Sequence, residues 1–219
     1  MRGRHFVERA IGFVGRLARG LVLALGALVV GVAIAGGGTQ ARADVWLLDP
    51  NTTVVHFSYD HLGVSRQSGR FKDIEGRLEF APTEPERGAV DITIKAAAIS
   101  TGVVELDRLL RSSDFLDTAR HPTIRFRSVG VKPAGERMGE IDGELTAMGI
   151  TWPVTLKVRW NYTGEHPLAA VNPAYAGKWV SGFSASTTIE RSRWGIKRAV
   201  PLISDEIEIR IEAEFVKVN

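Results

Sequence analysis

The sequence predicts an all-β protein, one antiparallel sheet of about eight strands curled into a barrel or a sandwich. Three observations predict it. Apolar residues recur with a period of two, the linkers between these stretches are short and rich in turn formers, and one segment alone breaks the period with helical spacing. Parallel sheets covered by helices read as continuous apolar runs, whereas clean alternation marks strands with one buried and one solvated face.

The strands can be followed in order. Val55, Phe57, Tyr59 and His61 alternate with Val54, His56, Ser58 and Asp60, then Leu78 and Phe80 with Arg77 and Glu79. Val90, Ile92 and Ile94 alternate with Asp91, Thr93 and Lys95, and Ile124 and Phe126 with Arg125 and Arg127. Val154, Leu156, Val158 and Trp160 form the next set, then Phe183, Ala185, Thr187 and Ile189. The last is Ile207, Ile209, Ile211, Ala213 and Phe215, set against Glu206, Glu208, Arg210, Glu212 and Glu214. Asp49-Pro50-Asn51, Pro82-Thr83-Glu84-Pro85, Pro133-Ala134-Gly135 and Glu165-His166-Pro167 supply turns. Between Val103 and Asp117 the spacing of Val103, Leu106, Leu109 and Leu110 predicts one short helix. Ser112 or Ser113 is placed to cap a second turn carrying Phe115 and Leu116, so one or two short helices are expected here.

The N-terminus has a different character. Arg2, Arg4, Arg9, Arg16 and Arg19 precede the apolar run Leu21 to Ala35, and Ala41-Arg42-Ala43 offers small residues at −3 and −1. This is the order of a cleavable secretory signal, expected over residues 1–43 and followed by one domain over 44–219. The 15-residue apolar run would cover only about 22 Å as a helix, against about 30 Å of hydrocarbon. No Arg-Arg pair precedes it, so the Sec route and a periplasmic destination are expected.

Removing the leader changes the charge. Residues 1–43 hold six Arg and one Glu, so the remainder carries 22 bases and 24 acids, near −2 instead of the +3 of the whole chain. No basic surface of the size nucleic acid demands remains. The chain has no Cys, which excludes disulfides, thiol catalysis and thiolate metal sites. His56 and His61 lie five apart and on a strand face opposite ways, while His121 and His166 each precede a proline, so no metal site is expected. Asp107, Asp114 and Asp117 lie in the helical segment, where capping and dipole roles explain them more simply than paired-acid catalysis. No G-x-S-x-G elbow or phosphate-cradling glycine motif occurs. What remains is the barrel interior, apolar throughout with Tyr59, Trp160 and Trp194 among its candidate lining. Pattern alone leaves open whether that interior is packed or hollow.

An ordered series of residues carries a resemblance. Leu48-Asp49 is followed by Phe57-x-Tyr59-x-His61-Leu62-Gly63, Gly69-Arg70-Phe71, Gly76 and Ser100-Thr101. Then come Asp107-x-x-Leu110-x-Ser112-x-Asp114-Phe115-x-Asp117 and His121-Pro122-x-Ile124-x-Phe126. Gly143-x-Leu145-Thr146, Gly149-Ile150-Thr151, Pro153-Val154, Ile189-x-Arg191-Ser192-x-Trp194-Gly195 and Asp205-Glu206 complete it. From Trp46 to Val218 the chain resembles the YceI-like family, exported lipocalin-like proteins regarded as polyisoprenoid-binding. The resemblance implies an extended eight-stranded antiparallel barrel with an elongated apolar pore, a polyisoprenoid or other long-chain lipid as partner, and no cofactor or catalytic set. It casts Asp107, Asp114 and Asp117 as framework.

The candidate lining follows from the inward positions and the insert: Phe57, Tyr59, Phe71, Leu78, Phe80, Ile92, Ile94, Leu109, Leu110, Phe115, Leu116, Ile124, Phe126, Leu145, Trp160, Phe183 and Trp194. The expected function is an exported carrier or sequestering protein in transient contact with membranes, with a homodimer compatible and nucleic acid excluded. Two rivals are a packed barrel acting as a stress-related interaction protein, and an enzyme on a lipidic substrate. The latter would need Tyr59, His61 and Arg191 to converge inside a pocket.

Overall fold

A computed structural model describes residues 43–218. The leader expected over residues 1–43 therefore lies outside the described residues, apart from Ala43. Eleven strands occur in chain order: β1 (Asp44–Leu48), β2 (Val54–His61), β3 (Ser65–Phe71), β4 (Ile74–Phe80), β5 (Ala89–Lys95) and β6 (Ile99–Ser100). After the helix α1 (Val104–Arg111) come β7 (Thr123–Pro133), β8 (Met138–Ala147), β9 (Ile150–Glu165), β10 (Trp179–Glu190) and β11 (Glu206–Lys217). All neighbouring strands are antiparallel.

The eleven strands make eight staves, because three staves are each built from two strands end to end. The tip of β11 pairs with β1, Trp46 opposite Lys217 and Leu48 opposite Phe215, and its other half pairs with β2, Ile209 opposite Phe57. On the far side β1 pairs with β4 while β2 pairs with β3, and these continue to β5 and β6. From β5 the sheet runs β7, β8, β9, β10 and back to β11. The ring is a closed eight-stranded antiparallel barrel, which removes the free edges an open sheet would expose.

Alternation divides the wall as the sequence predicts. Outward residues form exposed ion pairs across strands, including Asp91–Arg125, Arg127–Glu144 and Lys132–Asp142. Exposed pairs of this kind contribute little to stability. Inward residues at one end form a packed plug: Trp46, Leu48, Val55, Ile74, Leu78, Phe80 and Phe215, with Trp160 and Phe183 against them. Phe80 meets Trp160 and Phe183 edge-on at 5.3 and 5.5 Å between centroids, and Phe183 meets Phe215 at 6.1 Å. The Trp46 indole Nε1 donates to the Phe80 carbonyl, so the polar atom of the largest fully buried side chain is satisfied.

Of the one or two short helices expected in the insert, one forms. α1 is the single α-helix among the described residues, and Phe115 and Leu116 lie in turns instead of a second helix. Ser112 ends α1, its hydroxyl donating to the Leu109 carbonyl, and does not begin another helix. The reason is that the last carbonyls of α1 find partners downstream: Leu110 accepts from Leu116 N–H and Arg111 from Thr118 N–H. The chain wraps the end of the helix and satisfies it, leaving no free run in which a second helix could start.

Candidate functional site

Beyond the aromatic plug the barrel is hollow. A cavity of about 620 Å³ runs from Leu48, Leu78, Phe183 and Phe215 at the plug toward the opposite end of the barrel. That lies within the range of pockets that hold small molecules. The hollowness shows in the wall. Ile92, Ile94, Ile124, Leu145, Leu156, Val158, Ile207, Ile209 and Ile211 all point inward, yet each is only half-buried. In a packed core at native density such side chains would be fully covered.

Two segments roof the open end. The first is α1 with its following turns, which contribute Leu106, Leu109, Leu110, Phe115 and Leu116. Arg111 pins this segment by donating to the carbonyls of Ala97 (2.8 Å) and Ile99 (2.7 Å). Asp107 pins it again, one carboxylate oxygen accepting from Thr101 N–H at 2.6 Å and Thr101 Oγ1 at 2.7 Å. Burial works against ionisation of Asp107, but the Thr101 bonds and nearby Arg111 outweigh it, and the carboxyl lies below the usual carboxylate range.

The second roof segment joins β10 to β11 and contributes Arg191, Trp194, Ile196, Arg198, Ala199 and Ile203. Arg191 is its organiser. The buried guanidinium donates to four backbone carbonyls, those of Ile196, Arg198, Ile203 and Ser204, at 2.9 to 3.0 Å. Burial lowers the Arg191 pKa and nearby Asp205 opposes that. Asp205 in turn accepts from Ser192 N–H and Oγ. Trp194 is 2% exposed and its Nε1 donates to the Leu145 carbonyl, which fastens this segment to the end of β8. Gly195 follows at φ +82°, a left-handed conformation that glycine adopts without steric cost.

The two roof segments meet at an ion pair, Arg198 Nη1 to Asp114 Oδ2 at 3.1 Å. Leu109, Gln67, Arg198 and Ala199 line the cavity and are also exposed, so the cavity reaches the surface here.

The sequence-predicted lining mostly converges. Phe57, Tyr59, Phe71, Leu78, Ile92, Ile94, Leu109, Leu110, Phe115, Leu116, Ile124, Phe126, Leu145, Phe183 and Trp194 all line the one cavity. Phe80 and Trp160 do not. They form the far side of the plug, where with Val131 and Pro133 they border a separate space of about 90 Å³. Leu78 and Phe183 touch both spaces. Sequence reasoning passed over the lining residues Ile196, Arg198, Ala199 and Ile203, because a loop carries no periodic signal.

Tyr59, His61 and Arg191 do converge at the open end. Arg191 is occupied by backbone carbonyls. Burial raises the Tyr59 pKa, so it stands as a neutral phenol. Among the described residues no group of three or more His, Asp or Glu is placed to hold a metal ion, and no helix is long and apolar enough to cross a membrane.

Comparison with known proteins bears on this geometry. The sequence profile of the YceI-like domain matches residues 46–215. A UPF0312 protein of Azotobacter vinelandii is 33% identical over 195 residues, covering 88% of this chain and 97% of that protein. The crystal structure of the Campylobacter jejuni YceI protein is similar at 26% identity and TM-score 0.64, over 73% of this chain and 90% of that one. A polyisoprenoid-binding domain from Saccharophagus degradans shares the fold at TM-score 0.56 and 12% identity, over 81% of this chain and all of that one.

Proposed function

The chain belongs to the YceI-like domain family, and from that premise we propose that it is an exported carrier or store that buries a long apolar lipid, a polyisoprenoid by preference, inside its barrel. The observation that carries this reading is the cavity, about 620 Å³ of space walled almost entirely by aliphatic and aromatic side chains and open at one end. The fold shared with a polyisoprenoid-binding domain supports the ligand class. The chemistry is non-covalent burial. The leader pattern supports Sec export, cleavage after Ala43 and action in the periplasm, so N-terminal sequencing of the exported form is expected to begin at Asp44.

Energetics favour a carrier that exchanges with membranes over a one-way trap. Moving a prenyl chain of about forty carbons out of water at about 0.8 kcal/mol per carbon grosses about 30 kcal/mol. That exceeds the practical affinity ceiling of about 18–21 kcal/mol, so the reference state is a bilayer, where the chain is already out of water. Net transfer near zero follows, and the ligand passes both ways. Exposed Leu62, Val64, Val200 and Leu202 on two adjacent hairpin tips by the entrance are suited to brief bilayer contact. Transfer of a fluorescent prenyl lipid between donor and acceptor vesicles tests the proposal. The protein is expected to accelerate it, and Ala185→Trp, which fills the cavity from β10, is expected to abolish that while leaving the far-UV spectrum unchanged. Equal acceleration by both proteins would contradict internal burial.

A further inference from the structure

The polar members of the cavity wall are few, and most are committed. Arg191 donates to four backbone carbonyls, Arg198 pairs with Asp114, Gln67 Nε2 donates to Ser65 Oγ, and Thr53 Oγ1 bonds the Glu214 backbone. Tyr59, His61 and Thr187 have no side-chain partner among the described residues, and Tyr59 is the most deeply placed of the three. It is 9% exposed and lines the cavity, and its hydroxyl has no hydrogen-bond partner among the described residues. No buried side-chain nitrogen or oxygen lacks a partner, so this hydroxyl is not sealed in protein but borders open space.

Its surroundings are apolar. The ring stacks with Phe57 at 6.4 Å between centroids, and Leu110, Leu116, Ile203 and Ile207 pack against the cluster that Phe57, Tyr59 and Ile99 form under the roof. Phe57 and Phe71 show that a plain phenyl ring suits this wall. A phenol here places a hydrogen-bonding atom among apolar neighbours, near the entrance and far from the plug. Such an atom is costly unless a partner arrives. Burial keeps the phenol protonated and able to donate.

We propose that Tyr59 reads the polar end of the ligand: the site selects a long-chain lipid that carries a terminal hydroxyl or carbonyl oxygen over the bare hydrocarbon of the same skeleton. The chain fills the apolar cavity toward the plug, and its oxygen pairs with the Tyr59 hydroxyl beneath the roof. This inference rests on the lipid-carrier reading and adds to it the chemistry of the ligand's polar end. His61, one inward position further along β2, reaches solvent at the rim and is not required for it.

The test uses the delipidated full domain, as wild type and as Tyr59→Phe. Geranylgeraniol and its parent hydrocarbon compete with a fluorescent apolar probe for the cavity. The ratio of alcohol to hydrocarbon affinity is compared between the two proteins, which cancels the difference in water solubility. Tyr59→Phe is expected to lower the ratio by about three- to tenfold, the worth of one neutral hydrogen bond. An unchanged ratio, with both ligands still bound, would overturn this inference and leave the carrier reading standing. Displacement of the probe by neither ligand would overturn both.

Discussion

Asp107 shows how one residue serves architecture in a site that invites a catalytic reading. It is an acid beside a cavity, but its oxygen is spent on Thr101 N–H and Oγ1 and its position ties α1 to the end of β6. Replacing it with Ala removes both acceptor contacts and is expected to destabilise the fold by about 1–3 kcal/mol. Asp107→Asn keeps an acceptor and is expected to cost about 1 kcal/mol at neutral pH. The sign of the pH effect follows from the lowered pKa. The ionised form stabilises the folded chain above the unfolded carboxyl value, and that contribution fades as pH falls below about 4 through the depressed folded value. Urea unfolding of wild type and Asp107→Asn should therefore show a stability gap at pH 7 that narrows in acid. A gap independent of pH would mean the charge contributes nothing. Asp107 and Tyr59 were both legible in the sequence as residues of interest. The resemblance implies a framework role for Asp107, but only the fold shows which atoms satisfy it and that the Tyr59 hydroxyl has no partner among the described residues.

Elements were legible in proportion to their contrast between inside and outside. β2, β5, β7, β9, β10 and β11 alternate strongly because apolar inward residues face charged outward ones. β3 (SRQSGRF) shows little contrast, since its inward positions are Gln67, Gly69 and Phe71. Gly69 is there for space: a Cβ would stand 2.4 Å from Phe57 Cζ and 3.0 Å from the Ser100 carbonyl oxygen. Gly69→Ala should displace the Phe57 ring and cost about 1–3 kcal/mol in thermal or urea unfolding. A stability matching wild type would show that the ring yields freely. β8 hides in the same way, because Gly143 yields to the Phe126 ring. The loop between β10 and β11 was illegible for another reason, as its order comes from Arg191 gathering carbonyls and not from any pattern. Where it meets the insert, the Asp114–Arg198 pair is solvent-exposed and worth no more than about 1 kcal/mol. Asp114→Asn is expected to leave the melting temperature almost unchanged and to speed probe release at low salt. The difference should vanish at high salt, where wild type loses the pair as well.

At the scale of the molecule, closure and hollowness arise from the same residues. Eight staves give a barrel whose interior side chains just fill it or leave room for one ligand. Here five aromatic residues, Trp46, Phe80, Trp160, Phe183 and Phe215, gather at one end and fill it. The middle is walled by Ile, Leu and Val, which are too small to meet across it. Alternation alone could not reveal this division, because inward Phe and inward Ile read alike in a period-two pattern; which layer each occupies depends on strand register. Phe80 and Trp160 fit the lining pattern equally well, and register places them on the far side of the plug. A ligand in the cavity should also stabilise the fold, by about 2.7 kcal/mol at a hundred times its dissociation constant. Stripping it should lower the melting temperature and adding it back should restore it. The most direct measurement is mass spectrometry of organic extracts from the natively purified protein. Lipid burial inside the barrel predicts one long-chain lipid bearing a terminal oxygen, near one per barrel in wild type and absent from Ala185→Trp. An empty extract from native protein, together with no uptake of prenyl lipid from vesicles, would contradict it.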